Sequence, residues 1–234
     1  MVHFHGGAFT SGGLDSGCAV ASLLQGAGAV VVSVAYPLTP FPQPVDAGYA
    51  VLQWVHRHRT KLGGQGALVY LAGEEAGGNL AAAVALMARD QAHPPLAGQI
   101  LLSPMLDPCV GSASQRRTTG DAVDCKWVQG WRNFLRCPRD AEHPYAVPAS
   151  AHRLAGLPPT LVLVGDTDPM RDEALAYAAR LHAAGLQVTQ HVFAKAEKWP
   201  EPLLETGPHE CPCAGAVQEE FRRFFEATRC RESS

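Results

Sequence analysis

The sequence predicts an α/β fold, a mostly parallel central sheet covered by helices on both faces. Three features point to it. Short apolar, β-rich runs alternate along the chain with segments of helical periodicity. One run, residues 30–36, is apolar almost throughout, as a strand covered on both faces is. Proline- and glycine-rich stretches separate the two kinds of segment. The 234 residues, 47% hydrophobic and 18% charged, supply one sizeable core, so a single domain over 1–234 is expected.

Residues 2–5 open the first strand with no lead-in, and 30–36 form the second. The stretch from Tyr36 to Pro44 holds four prolines, which remove backbone donors and fix φ, so it is a rigid loop. Val45, Tyr49, Leu52 and Val55 then recur at helical spacing. Residues 67–72 read as the third strand, and Leu80, Val84 and Met87 mark a helix after it. A fourth strand at 99–102 ends in Ser103-Pro104, and a fifth at 160–164 follows Pro158-Pro159. The helix over about 173–184 stops at Gly185, a residue that tolerates the left-handed conformation past a helix end. Residues 188–193 are the last strand, and Val217, Phe221, Phe224 and Phe225 give a final amphipathic helix. Over about 107–157 the pattern is irregular, with Trp127, Trp131 and Phe134 as anchors, which implies an insertion above the sheet.

Composition excludes several functions. Lys plus Arg number 19 against 22 Asp plus Glu, a net charge of -3, and no basic stripe could neutralise a row of phosphates, so no nucleic acid partner is expected. No apolar run reaches the roughly 20 residues that cross a bilayer, and residues 1–5 lack a cationic stretch ahead of an apolar one. The expectation is a cytoplasmic protein without a membrane span. The seven cysteines are odd in number and scattered, and they read as reduced thiols.

Three motifs carry chemistry. The third strand runs through Gly73-Glu74-Glu75-Ala76-Gly77-Gly78-Asn79 into a helix. Glycines around a central residue in such a strand-turn-helix hold it in a strained turn, its side chain above the sheet at a helix N-terminus. Upstream, His5-Gly6-Gly7-Ala8 follows a strand, and its small residues let backbone N–H groups approach a ligand as an oxyanion hole does. Downstream, Gly165-Asp166-Thr167-Asp168-Pro169-Met170-Arg171-Asp172-Glu173 follows another strand, where the acid of a nucleophile, acid, histidine order belongs.

In this order, each after a strand, the motifs resemble those of the hormone-sensitive-lipase-like branch of the α/β-hydrolase fold, whose members are mostly carboxylesterases. The likeness runs from His5 to the final helix and includes Tyr36-Pro37 and Leu157-Pro158-Pro159. It implies an oxyanion hole from Gly6, Gly7 and Ala76, a nucleophile position at Glu75, an acid at Asp168, no cofactor, and a small acyl ester or related small molecule as partner. The family's nucleophile is serine, whereas Glu75 has no hydroxyl for a histidine to activate. The family's histidine follows the last strand, where this chain reads Phe193-Ala194-Lys195-Ala196-Glu197-Lys198-Trp199. His209, in the next loop, is the candidate, and His191 inside the strand reads as structural. Similar proteins also carry strands and lid helices ahead of the oxyanion loop. Without them, strand 30–36 becomes an open apolar edge, which is resolved either by a partner chain, such as a second copy in a homo-oligomer, or by an incomplete gene model.

Three readings of Glu75 stay open at this stage. Catalysis is lost, or the carboxylate is itself a nucleophile toward alkyl carbon, or Glu75 or Asp168 acts as general base for water. The Glu75 carboxylate also competes for the oxyanion donors, and folding back into the hole would make the site self-inhibited. Among other candidates, His5 reads as a structural hydrogen-bonding residue, and Ser16, Ser103 and Cys109 are alternative nucleophiles outside any elbow. His209-Glu210-Cys211-Pro212-Cys213 gathers soft ligands but lacks a second cluster, so it reads as a surface loop and no metal is expected. Arg116-Arg117 reads as a solvated pair.

Overall fold

Six parallel strands lie in the order β2-β1-β3-β4-β5-β6. They are β1 (Val2–Phe4), β2 (Val32–Val34), β3 (Tyr70–Glu74), β4 (Gly98–Leu102), β5 (Thr160–Gly165) and β6 (Val188–Phe193). The computed structural model describes residues 1–109, 111–119, 125–194 and 212–229. Helices α1 (Cys18–Gly26), α2 (Gln43–Gly63), α3 (Ala76–Asp90), α4 (Ala113–Thr119), α5 (Lys126–Phe134), α6 (Pro138–Ala141), α7 (Arg171–Ala183) and α8 (Ala214–Arg229) connect and cover them. The α/β-hydrolase arrangement implied by the motifs is the one found.

The two sheet faces have separate cores. On one, Phe4, Leu71 and Leu101 pack against Val45 and Leu52 of α2, Leu80 and Val84 of α3, and Trp131 and Phe134 of α5. On the other, Tyr70, Ala72, Ile100 and Leu102 meet Leu24 of α1 and Phe221, Phe224 and Phe225 of α8. Alternation along each central strand thus feeds both faces, which is why these strands are apolar at nearly every position. Helix α3 lies deepest, with small residues against the sheet. A Cβ at Gly77 would stand 2.1 Å from the Phe4 carbonyl oxygen, so only glycine lets the helix approach β1 this closely.

Four sequence expectations need correction. The run 30–36 is not covered on both faces: only Val32–Val34 is strand, it lies at the sheet edge, and Val30 is 49% exposed. β3 reaches Glu74, so Gly73 and Glu74 complete the strand and Glu75 alone makes the turn. Helix α1 was not anticipated; Gly17 precedes it without a side-chain cap, which leaves no start signal in the sequence. Finally, Cys18, Cys109, Cys125 and Cys137 are free thiols, but Cys213 is disulfide-bonded. Gly185 takes φ +82° beyond α7, the left-handed conformation expected there. Among the described residues no helix is long and apolar enough to cross a membrane, and no group of side chains has the makings of a metal site.

Candidate active site

The site forms at the C-terminal ends of β1, β3, β4 and β5. There the glycine-rich loop after β1 faces the turn between β3 and α3. Gly7 (φ 114°), Ala8 (φ 48°) and Phe9 (φ 58°) take consecutive positive φ values, and the N–H groups of Thr10 and Ser11 close on the Gly7 carbonyl at 2.9 and 3.0 Å. This tight turn leaves the Gly7 and Ala8 N–H groups aimed inward. Beneath the loop, the Tyr36 hydroxyl donates to the His5 carbonyl at 2.8 Å and its ring stacks on His5 at 4.3 Å. Burial, and after it the Glu74 and Glu75 carboxylates, push the Tyr36 phenol well above its ordinary range, so it remains a neutral donor.

Glu75 sits at the tip of the turn with φ 54° and ψ -115°, strained for a residue with a side chain. The strain is held by the backbone: its N–H donates to Leu102 O at 3.0 Å, and its carbonyl accepts from Met105 N at 2.9 Å and Asn79 N at 3.2 Å. Its carboxylate, only 6% exposed as a residue, turns back onto the loop. Oε2 accepts from Gly7 N at 2.7 Å and Ala8 N at 3.0 Å. Oε1 accepts from the Trp127 indole N–H at 2.7 Å, with the Lys126 ammonium at 3.7 Å. Both oxygens of the side chain at the nucleophile position are therefore bound by donors.

The predicted oxyanion donors are only partly those found facing this point. Gly7 is one. Gly6 is not, because its N–H donates to Glu74 Oε1 at 3.2 Å, on the other side of the loop. Ala8, not singled out from sequence, supplies the second donor. Ala76 is the first residue of α3, directly after Glu75. Trp127 and Lys126 were visible in sequence only as parts of an irregular insertion.

Asp168 lies in the turn between β5 and α7, 1% exposed. Met170 N donates to Oδ1 at 2.7 Å, and the Ser103 hydroxyl donates to Oδ2. Ser103 follows β4 with φ 43°, so a second strained residue points at the acid position. Its hydroxyl serves as a donor to the acid, which argues against the alternative-nucleophile reading. Glu173, in the first turn of α7, has its carboxyl pushed well above the ordinary range by burial, opposed by the Asp107 N–H that donates to Oε2 at 2.9 Å.

His209 lies outside the described residues. His191 is 3.5 Å from Glu220 of α8, at the far edge strand, in keeping with a structural role. His5 is buried, with Nδ1 2.6 Å from the Gly6 carbonyl oxygen, also in keeping with a structural role. Ser16 Oγ accepts from Gly13 N at 3.0 Å in an exposed loop. Cys109 is exposed, and Asp107 beside it raises its thiol pKa, the opposite of activation. Arg116 and Arg117 are exposed on α4.

Comparison with known proteins places this geometry in a family. The α/β-hydrolase fold profile matches residues 1–197. Carboxylesterase NlhH of Mycobacterium tuberculosis is 36% identical over 201 residues, 80% of this chain and 62% of that protein. Gibberellin receptor GID1C of Arabidopsis thaliana is 36% identical over 205 residues, 80% of this chain and 58% of that protein. This chain thus spans about three fifths of the length of these curated relatives. The crystal structure of a thermostable esterase from Pseudomonas putida ECU1011 superposes with a TM-score of 0.83 at 31% identity, covering 95% of this chain and 72% of that one. The chain belongs to the α/β-hydrolase fold family, in its hormone-sensitive-lipase-like branch.

Proposed function

We propose that this chain is a member of that family in which the serine mechanism is closed, its elbow occupied by Glu75, and that the site serves as a small-molecule pocket with little or no acyl transfer. One observation carries the reading: the Gly7 and Ala8 N–H groups, which would hold the carbonyl oxygen of an ester, both donate to Glu75 Oε2. The hole is filled by the chain's own anion.

The physical consequence is twofold. Glu75 offers no hydroxyl proton to pass to a base, so no acyl-serine can form there. A tetrahedral oxyanion brought to within about 4 Å of the Glu75 charge would also be repelled by about 4 kcal/mol at an effective dielectric near 20. That is roughly a thousandfold in rate. The same bonds disfavour a carboxylate nucleophile, because Trp127 and the loop N–H groups hold both oxygens. The small acyl esters on which esterases of this family act are the ligand class proposed for the pocket.

Short-chain p-nitrophenyl ester turnover in wild type, Glu75→Gln and Glu75→Ser tests this. Wild type and Glu75→Gln turn over alike, and only Glu75→Ser gains an organophosphate adduct at position 75. Wild-type turnover that disappears in Glu75→Gln would instead make the carboxylate a nucleophile or base.

A further inference from the structure

A second constellation lies across β2, β1 and β3, away from Glu75. His3 Nε2 is 2.7 Å from Glu74 Oε2, and His3 Nδ1 is 3.3 Å from Ser33 Oγ. His3 and Ser33 are register partners on neighbouring parallel strands, so their side chains leave the sheet on the same face, as does Glu74, two residues beyond Ala72, the partner of His3 on β3. His3 and Glu74 are each 1% exposed, while Ser33 is half-buried and lines a groove of about 370 Å³ with Cys18, Ala21, Ala29, Val30 and Val31.

We infer that Ser33, His3 and Glu74 form a hydrolytic relay for small esters with short apolar acyl groups, distinct from the family site. The acid is held as the acid of such relays must be, buried and bonded to a backbone donor: Gly6 N donates to Glu74 Oε1 at 3.2 Å. As a carboxylate, Glu74 only accepts, so the hydrogen sits on His3 Nε2 and Nδ1 is left to accept from the Ser33 hydroxyl. Gly17, just ahead of α1, packs over the imidazole, where a Cβ would stand 2.5 Å from His3 Cε1. An oxyanion donor is also present. Val32 N donates to Met1 O across the sheet, and in a parallel pair alternate residues face opposite ways, so the Ser33 N–H points away from β1, toward the side where β2 has no strand neighbour among the described residues.

The step balances without a further reactant. Ser33 Oγ bonds to the ester carbonyl carbon, its proton passes to His3 Nδ1, and the carbonyl π pair moves to the oxygen that the Ser33 N–H faces. Collapse expels the alkoxide, which takes the proton back from His3. Water then repeats the sequence on the acyl-serine and releases the acid. The Ser33 to His3 separation is at the long end of hydrogen bonding, as it is in many resting sites before substrate binds.

Wild type treated with a fluorophosphonate, digested and mapped by mass spectrometry is expected to carry one adduct, on Ser33. Ser33→Ala is expected to lose both the adduct and p-nitrophenyl acetate turnover at unchanged circular dichroism, and His3→Gln to slow labelling. The proposal is overturned by absence of any wild-type adduct, by an adduct at another residue such as Cys18, or by undiminished turnover in folded Ser33→Ala. Because the mapping is done on wild type, it decides the matter even where a variant fails to fold.

Discussion

The Trp127 indole N–H and the Glu75 carboxylate are joined at 2.7 Å across 52 residues of sequence, which ties α5 to the turn at the head of α3. The bond is charge-assisted and partly buried, the kind that contributes about 1.5–3 kcal/mol. Trp127→Phe keeps the ring's bulk and removes the donor. It is expected to lower unfolding free energy by about that amount, read by guanidinium denaturation followed by circular dichroism. The hydrogen-exchange protection of α5 should fall with it.

Removing the internal anion should leave a vacant receptor for an external one. Glu75→Gly suits the positive φ and keeps the Gly7, Ala8 and Trp127 donors with Lys126 nearby. Acetate or formate is expected to raise the melting temperature of Glu75→Gly and not of wild type. At a hundred times its Kd such a ligand adds about 2.7 kcal/mol. Equal response of the two proteins in calorimetry would show that the donors do not form an anion site.

Glu173 makes stability depend on pH in a stated direction. Burial raises its folded-state pKa above the ordinary value, so the folded chain keeps a proton that the unfolded chain has lost. Stability therefore falls as pH rises from the unfolded value toward the folded one, at about 1.4 kcal/mol per unit. Below the unfolded value the cost vanishes. Glu173→Gln cannot ionise and should flatten this slope above about pH 4.5, measured as denaturant midpoint against pH.

Ser103→Ala should act through Asp168. It removes the hydroxyl that donates to Oδ2 while leaving the Met170 N–H on Oδ1. A buried carboxylate that loses a donor costs about 1–3 kcal/mol, visible as a lower midpoint. A midpoint equal to wild type would mean that the hydroxyl contributes nothing to holding the acid.

Much of this was legible in the sequence, for local reasons. Gly73, Gly77 and Gly78 around Glu75 announce a strained turn, and Gly185 announces the end of α7, because both depend on backbone sterics over a few residues. The central strands were legible because burial on two faces removes polar residues altogether. What escaped is long-range or lacks a signal. Trp127 and Lys126 reach Glu75 from an insertion without periodicity, and nothing in either residue names its partner. Ala8 and not Gly6 is the second donor because the Gly6 N–H is taken by Glu74, a long-range contact that no residue type in the motif declares. Helix α1 escaped for want of a capping residue, and the Cys213 disulfide because pairing depends on three-dimensional proximity.

The close seat of α3 has a consequence for anyone mapping this protein by saturation mutagenesis. A Cβ at Gly73 would meet the Gly77 carbonyl oxygen at 2.1 Å, and one at Gly78 would meet Pro104 Cα at 2.9 Å. The least tolerant band of such a map will fall on residues 73–78, and it will look like the fingerprint of chemistry. It will instead report steric exclusion, whatever chemistry the turn does or does not perform.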